Sequence, residues 1–200
     1  MSRIKKELSN KSSVVDFFHE YSSTIVNLFE KVPTQVLTDI GETFKEAHLN
    51  QRNIFIIGNG GSAATANHFA TDLMLGPTRF GKSGFRAKSL CSNDSIMSAI
   101  GNDNGFENIF SKQIDTLANP KDILVLISAS GNSANLIKAV KSAQEKKLQT
   151  VALIGFSGGL LNSLVDHSLF IESDDGDYGP IEDVHSVLQH CLANWLIGQI

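Results

Sequence analysis

The chain has 200 residues, enough for one domain that buries its own core without a disulfide or metal staple. Hydrophobic residues are 42% and charged residues 19%, which excludes a disordered chain. A net charge of −4 excludes a basic nucleic-acid surface, though not a small anionic ligand.

Cys91 and Cys191 make neither a disulfide framework nor a Cys-x-x-Cys metal pair, so a reduced, cytoplasmic compartment is expected. The stretch Met1 to Tyr21 carries no apolar run fit for a secretion signal. No segment approaches the ~18–20 apolar residues of a membrane span.

Taken in chain order, two helical patterns come first. Val14, Val15, Phe17, Phe18, Tyr21, Ile25, Leu28 and Phe29 recur at helical spacing. After Pro33, a good first-turn residue, so do Val36, Leu37, Ile40, Phe44 and Leu49. Short apolar runs follow at Asn53–Gly58, Asp122–Ser128, Thr150–Gly155 and His167–Glu172, with a weaker one at Arg86–Cys91. Runs apolar on both faces suit a parallel sheet covered by helices. Helical segments alternate with them at Ser62–Leu75, Glu107–Leu117, Ser133–Lys146 and Ile181–Ile200. The expectation is one α/β unit: a five-stranded, doubly wound parallel sheet over residues 52–200, preceded by a helical hairpin over residues 1–51.

Ligands of such sheets sit beyond the carboxyl ends of the strands. Two loops stand out there. Asn59, Gly60, Gly61 and Ser62 follow the first strand, and Ser128, Ala129, Ser130 and Ser133 the third. Glycine lets backbone approach a ligand, and the helix that follows offers free N–H groups to an anion. Either loop alone reads as a strand-to-helix turn with an N-cap serine. Two of them in one sheet point to a phosphate-bearing ligand held by hydroxyls and N–H groups. The first loop also fits the loose dinucleotide pattern, with Asp94 as the ribose acid, but that reading leaves the serine-rich second loop unexplained.

These residues carry a resemblance. Gly58–Ser62 followed by His68-Phe69-Ala70, then Gly101-Asn102-Asp103 with Gly105-Phe106, then Ser128 to Asn135, resemble the sugar isomerase (SIS) domain, and within it the phosphoheptose isomerases. The resemblance implies a flavodoxin-like sheet, a homotetramer with active sites shared between subunits, and conversion of sedoheptulose 7-phosphate to D-glycero-D-manno-heptose 7-phosphate for lipopolysaccharide or capsule. It places substrate binding on Asn59, Gly60, Gly61, Ser62, Asp72, Asn102, Asp103, Ser128, Ala129, Ser130, Ser133 and Glu182. It places zinc on His68, Asp72, Glu182 and His190. The chain departs from the family at Asp72 for a glutamate, Glu182 for a glutamine and Ala129 for a threonine. It also lacks the usual Thr-x-Arg within Asp174–Pro180.

Spacing supports part of this. His68 and Asp72, four apart, share a helix face and suit zinc or proton transfer. Glu182 and His190 also share a face, but roughly 12 Å apart along the axis. Isomerisation through an enediol needs a base that reaches two carbons and an acid for the oxygens. Asp72 is expected as base and His190 as acid, with Glu182 as the alternative base. His185 and Gln189 are expected as surface or interface polar residues. His19, His48 and His167 have no supporting context. Residues 174–180 are a lid candidate. Other readings are an isomerase for a different sugar phosphate, a non-catalytic protein binding a replication initiator, and a sugar-phosphate sensor.

Overall fold

The computed structural model describes residues 13–200. The first twelve residues, part of the stretch read as lacking a secretion signal, lie outside the described residues.

The N-terminal hairpin is α1 (Val14–Phe29) and α2 (Thr34–Leu49). Ser13 caps α1 by accepting from the Asp16 N–H. The sheet and its crossovers are β1 (Asn53–Gly58), α3 (Gly61–Leu75), β2 (Arg86–Ser89), α4 (Asp94–Asn104), α5 (Ser111–Leu117), β3 (Ile123–Ser128), α6 (Ala134–Glu145), β4 (Gln149–Ile154), the single turn α7 (Leu161–Leu164), β5 (His167–Phe170) and α8 (Tyr178–Gln199). Short 3-10 turns lie at Pro77–Phe80 and Phe106–Asn108.

The five strands are parallel in the order β2-β1-β3-β4-β5. This is the flavodoxin-like order, so the expected fold is the observed one. Every residue of β3 is buried, as are five of six in β1 and in β4. The α3 helix packs on β1 and β2 and against α8, which also contacts α1 and α2. The α6 helix packs on β3, β4 and α5. Right-handed crossovers put these two groups on opposite faces of the sheet.

Carboxylates pin the strand starts. Asp122, 2% exposed, accepts from the Asn53 N–H at 2.8 Å, the Asn53 amide at 3.0 Å and the Asn119 N–H at 2.9 Å. It thereby ties β1 to the entry of β3. Asp166 does the same for β4, accepting from the Thr150 N–H at 2.8 Å and hydroxyl at 2.7 Å.

The α4 helix was not expected from the sequence. It has no buried residue and starts where the Asn93 side chain accepts from the Ile96 N–H. The weak second strand ends at Ser89, two residues short of its expected end. The last helix begins at Tyr178, not Ile181, so Tyr178–Pro180 form its first turn and only the segment before it remains a loop. His185 and Gln189, read as surface or interface residues, are fully buried under α8 instead. Among the described residues no helix is long and apolar enough to cross a membrane.

Asp122→Ala is expected to cost about 3 kcal/mol, because it strands the part-buried N–H donors of Asn53 in β1 and of Asn119 in the loop before β3 at once. Asp122→Asn, which keeps an acceptor, should cost less; urea unfolding of the three proteins measures both.

Candidate active site

Strand order reverses between β1 and β3, and the loops that leave these two strands diverge around a crevice. Asn59, Gly60, Gly61 and Ser62 form one side. Ile127, Ser128, Ala129, Ser130, Ser133 and Leu136 form the other, and Tyr178 and Glu182 close the cavity from α8. Its volume is about 260 Å3. Among the described residues no lysine or arginine lines it.

The loops are cross-linked. The Asn59 amide donates to the Asn135 side chain at 3.0 Å, and the Asn135 amide donates back at 2.8 Å. The Asn59 side chain is thus committed to Asn135, and its loop meets a ligand through backbone. Gly60 has φ of 54°, a conformation that favours glycine. A Cβ on Gly61 would collide with the Glu182 carboxylate, so any larger residue there would push that side chain aside.

Donors converge on the cavity. Neither Gly60 nor Ser133 caps its helix through a side chain, which leaves the first N–H groups of α3 and α6 free. Ser133 is therefore not an N-cap in the usual sense. Ser128 accepts from the Gly131 N–H at 3.0 Å and Ser130 from the Asn132 N–H at 3.3 Å. Both use a lone pair to shape the turn and keep an O–H proton for a ligand.

Glu182 is half-buried, and its pKa is pushed up, first by desolvation and then by the neighbouring Asp183 charge. A carboxyl raised this way holds its proton more tightly than an exposed one, which favours it as a proton acceptor.

Two turns further along α3 and α8 is a second group. The Asp72 Oδ2 lies 3.5 Å from the Nε2 atoms of both His68 and His190, and those two nitrogens are 3.5 Å apart. The centre of such a triangle is about 2.0 Å from each corner, a reach suited to a small divalent ion held by nitrogen and oxygen. Three donors would leave a further position open, as catalytic metal sites do. Glu182 is not in this cluster. Eight helical residues separate Glu182 from His190, about 12 Å of axis.

Asn102 and Asp103 lie on exposed α4, hydrogen-bonded to each other at 2.8 Å, and do not line the cavity. His19 is exposed; His48 packs on the Phe85 ring at 4.6 Å; His167 opens β5. Sequence reasoning gave Tyr178 no role beyond its place in the 174–180 lid candidate, and none to the Asn135 amide. The reciprocal Asn59–Asn135 spacing across 76 residues leaves no local signal. A separate cleft lined by Arg52, Lys121 and Lys147 lies at the other end of the strands. The C-terminal ends of α2 and α6 border it, so its lysines complement carbonyl ends.

The SIS domain profile matches residues 16–155. Phosphoheptose isomerase 1 of Campylobacter jejuni is 40% identical over 156 residues, 78% of this chain and 82% of that protein. The phosphoheptose isomerase of Aliarcobacter butzleri is 36% identical over 193 residues, covering 95% and 98%. The solved structure of a phosphoheptose isomerase from Francisella tularensis superposes with a TM-score of 0.83 at 27% identity over the full length of both chains. The chain belongs to the phosphoheptose isomerase family of SIS-domain proteins.

Because ionising Glu182 is disfavoured in the folded state, its charge costs stability above its raised pKa. Glu182→Gln is expected to raise the thermal midpoint at pH 8. The gain should vanish as pH falls below ~4.3, where the carboxyl is protonated folded and unfolded alike.

Proposed function

We propose that this chain isomerises sedoheptulose 7-phosphate to D-glycero-D-manno-heptose 7-phosphate through an enediol. The observation that carries this is the meeting, in one cavity without a cation, of two uncapped helix N-termini, a free Ser133 hydroxyl and a carboxyl with a raised pKa. The donors suit a phosphate dianion. The carboxyl suits a proton moved between adjacent carbons.

In this reading Ser128, Ser130, Ser133 and the backbone of Ala129 hold the phosphate. Asn59, Gly60, Gly61 and Ser62 bracket the sugar, and its carbonyl end runs along α3 toward His68, Asp72 and His190. Glu182 takes a proton from C1. The C1–C2 double bond forms as the carbonyl electrons move to O2, which gains a proton. Glu182 returns its proton to C2, O1 loses one, and C1 becomes the aldehyde. Glu182 is the base in preference to Asp72, because Glu182 lines the cavity while Asp72 is engaged with both histidines. The proton that O2 gains is balanced by the one that O1 loses.

His68, Asp72 and His190 are the residues that would hold zinc, which supplies polarisation of the substrate oxygens when bound. The product would feed heptose synthesis for lipopolysaccharide or capsule in the cytoplasm.

The assembly would be a homotetramer with sites at subunit interfaces, Asn102 and Asp103 reaching a neighbouring copy's cavity. Exposed apolar side chains support this: Val14 at 80% and Phe18 at 62% on α1, and Val187 and Trp195 on α8. Light scattering should give four times the chain mass, and Phe18→Asp should lower it.

Glu182→Gln should lower kcat by ~10²–10⁴-fold and abolish deuterium exchange at C1. Asp72→Asn should lose zinc and activity together, measured by elemental analysis on the assayed sample. Full exchange in Glu182→Gln, with none in zinc-loaded Asp72→Asn, would assign the base to Asp72 instead.

A further inference from the structure

Tyr178 is the first residue of α8 and lines the cavity one turn before Glu182. The two are four residues apart, so they share a helix face. They stand over different parts of the site. Glu182 rests on Gly61, beyond β1. Tyr178 meets the ring of Phe156 edge-on, at 5.0 Å and 74°. Phe156 follows β4 and adjoins the serine loop, because the Gly155 N–H donates to the Ser128 and Ala129 carbonyls at 3.3 and 3.2 Å.

Phe156 is an unusual platform. It is buried, yet its φ is 48°, a region that a bulky side chain rarely adopts. Two hydrogen bonds to Ser173 hold it there: the Phe156 N–H donates to the Ser173 hydroxyl at 2.9 Å, and the Ser173 N–H to the Phe156 carbonyl at 3.1 Å. Strain of this kind persists where the surroundings over-determine a position, and it gathers at ligand sites. The start of α8 is fixed from its other side as well. The Tyr21 hydroxyl donates to Asp183 at 2.6 Å and lies so close to Gly179 that a Cβ there would meet it at 2.9 Å. The wall that carries Tyr178 is thus held from α1 and from the loop after β4.

Among the described residues the cavity has no lysine or arginine to offer a phosphate dianion. Two of its hydroxyl donors from the serine loop, Ser128 and Ser130, have shared duties in shaping the turn. We propose that Tyr178 is a substrate-binding residue of this chain, its phenol donating to the phosphate beside Ser128 and Ala129 while its ring walls the cavity. This rests on the sugar-phosphate reading of the cavity.

The test compares wild type with Tyr178→Phe, which keeps the ring and its packing on Phe156. Two readouts are taken: turnover of sedoheptulose 7-phosphate, and binding of inorganic phosphate by calorimetry. Ser133→Ala serves as the control that loses the phosphate site. Tyr178→Phe is expected to raise KM about tenfold with kcat within twofold, and to weaken inorganic phosphate by a similar factor. Unchanged KM and phosphate affinity in the folded variant overturn the proposal. A fall in kcat at constant KM and phosphate affinity also overturns it, by moving the phenol from binding to chemistry. If wild type turns over no sedoheptulose 7-phosphate but Tyr178→Phe still weakens phosphate, the reaction assignment fails and the Tyr178 contact stands.

Discussion

In the proposed reading a phosphate dianion is held with no lysine or arginine among the described residues of the cavity, and the ligand pole is organised around that constraint. Neutral donors can replace a charged partner only if they already point at the ligand and no water competes. The reversal of strand order between β1 and β3 brings two helix N-termini to one crevice. The reciprocal Asn59–Asn135 amide pair then stops the two loops from separating. The chain's negative balance is compatible with this arrangement, because short-range N–H and O–H donors act where long-range steering does not. The same constraint tunes the chemistry. An anion bound near Glu182 opposes its ionisation further, which strengthens the carboxylate as a proton acceptor once substrate is in place.

The α8 helix acts as the ruler of the site. Tyr178, Glu182 and His190 sit on one rigid element at fixed rises, so the ligand wall, the candidate base and the histidine cluster keep constant separations. That helix is anchored along its length. Tyr21 fixes its first turn, Thr65 meets Ser186 at 3.3 Å in its middle, and His68 meets His190 at 3.5 Å beyond. Its underside carries the buried His185 and Gln189. No well-formed hydrogen bond reaches the Gln189 amide among the described residues. Burial lowers the His185 pKa to about 4, so the ring stays neutral through the working range of the proposed isomerase.

The fold was legible because its strongest signals are local. β1, β3 and β4 are largely apolar six-residue runs with five, six and five buried residues, bounded by glycine or serine turns, and nothing in tertiary packing overrides them. The α4 helix escaped notice because it buries nothing, so no apolar stripe marks it; only its Asn93 cap does. The site was legible in parts. The His68–Asp72 pairing follows from helical spacing, but the addition of His190 depends on how α3 and α8 lie together across 122 residues. Burial of His185 could not be read from its neighbours, since Glu182 and His190 on the same helix are open to the site. Tyr178 was hidden inside a glycine- and aspartate-rich stretch that reads as loop until the helix is seen to start there.

The two acidic departures from the family, Asp72 and Glu182, make sense together rather than singly. A carboxylate that must sit 3.5 Å from two imidazole nitrogens at once is already committed at short reach, and the shorter aspartate fits that post from the same helix as His68. Shortened by a methylene, it reaches less far toward a carbon of the substrate, and a displacement of about 1 Å is enough to slow proton transfer severely. The glutamate on α8 supplies the reach instead. It stands over the glycine that opens α3, in a partly dry position that keeps its affinity for a proton high. In the proposed mechanism two functions that one residue could share are thereby divided: Asp72 orders the histidine cluster, and Glu182 moves the proton. Such a division predicts coupling between the two positions. The pair Asp72→Glu with Glu182→Gln should recover more activity than Glu182→Gln alone.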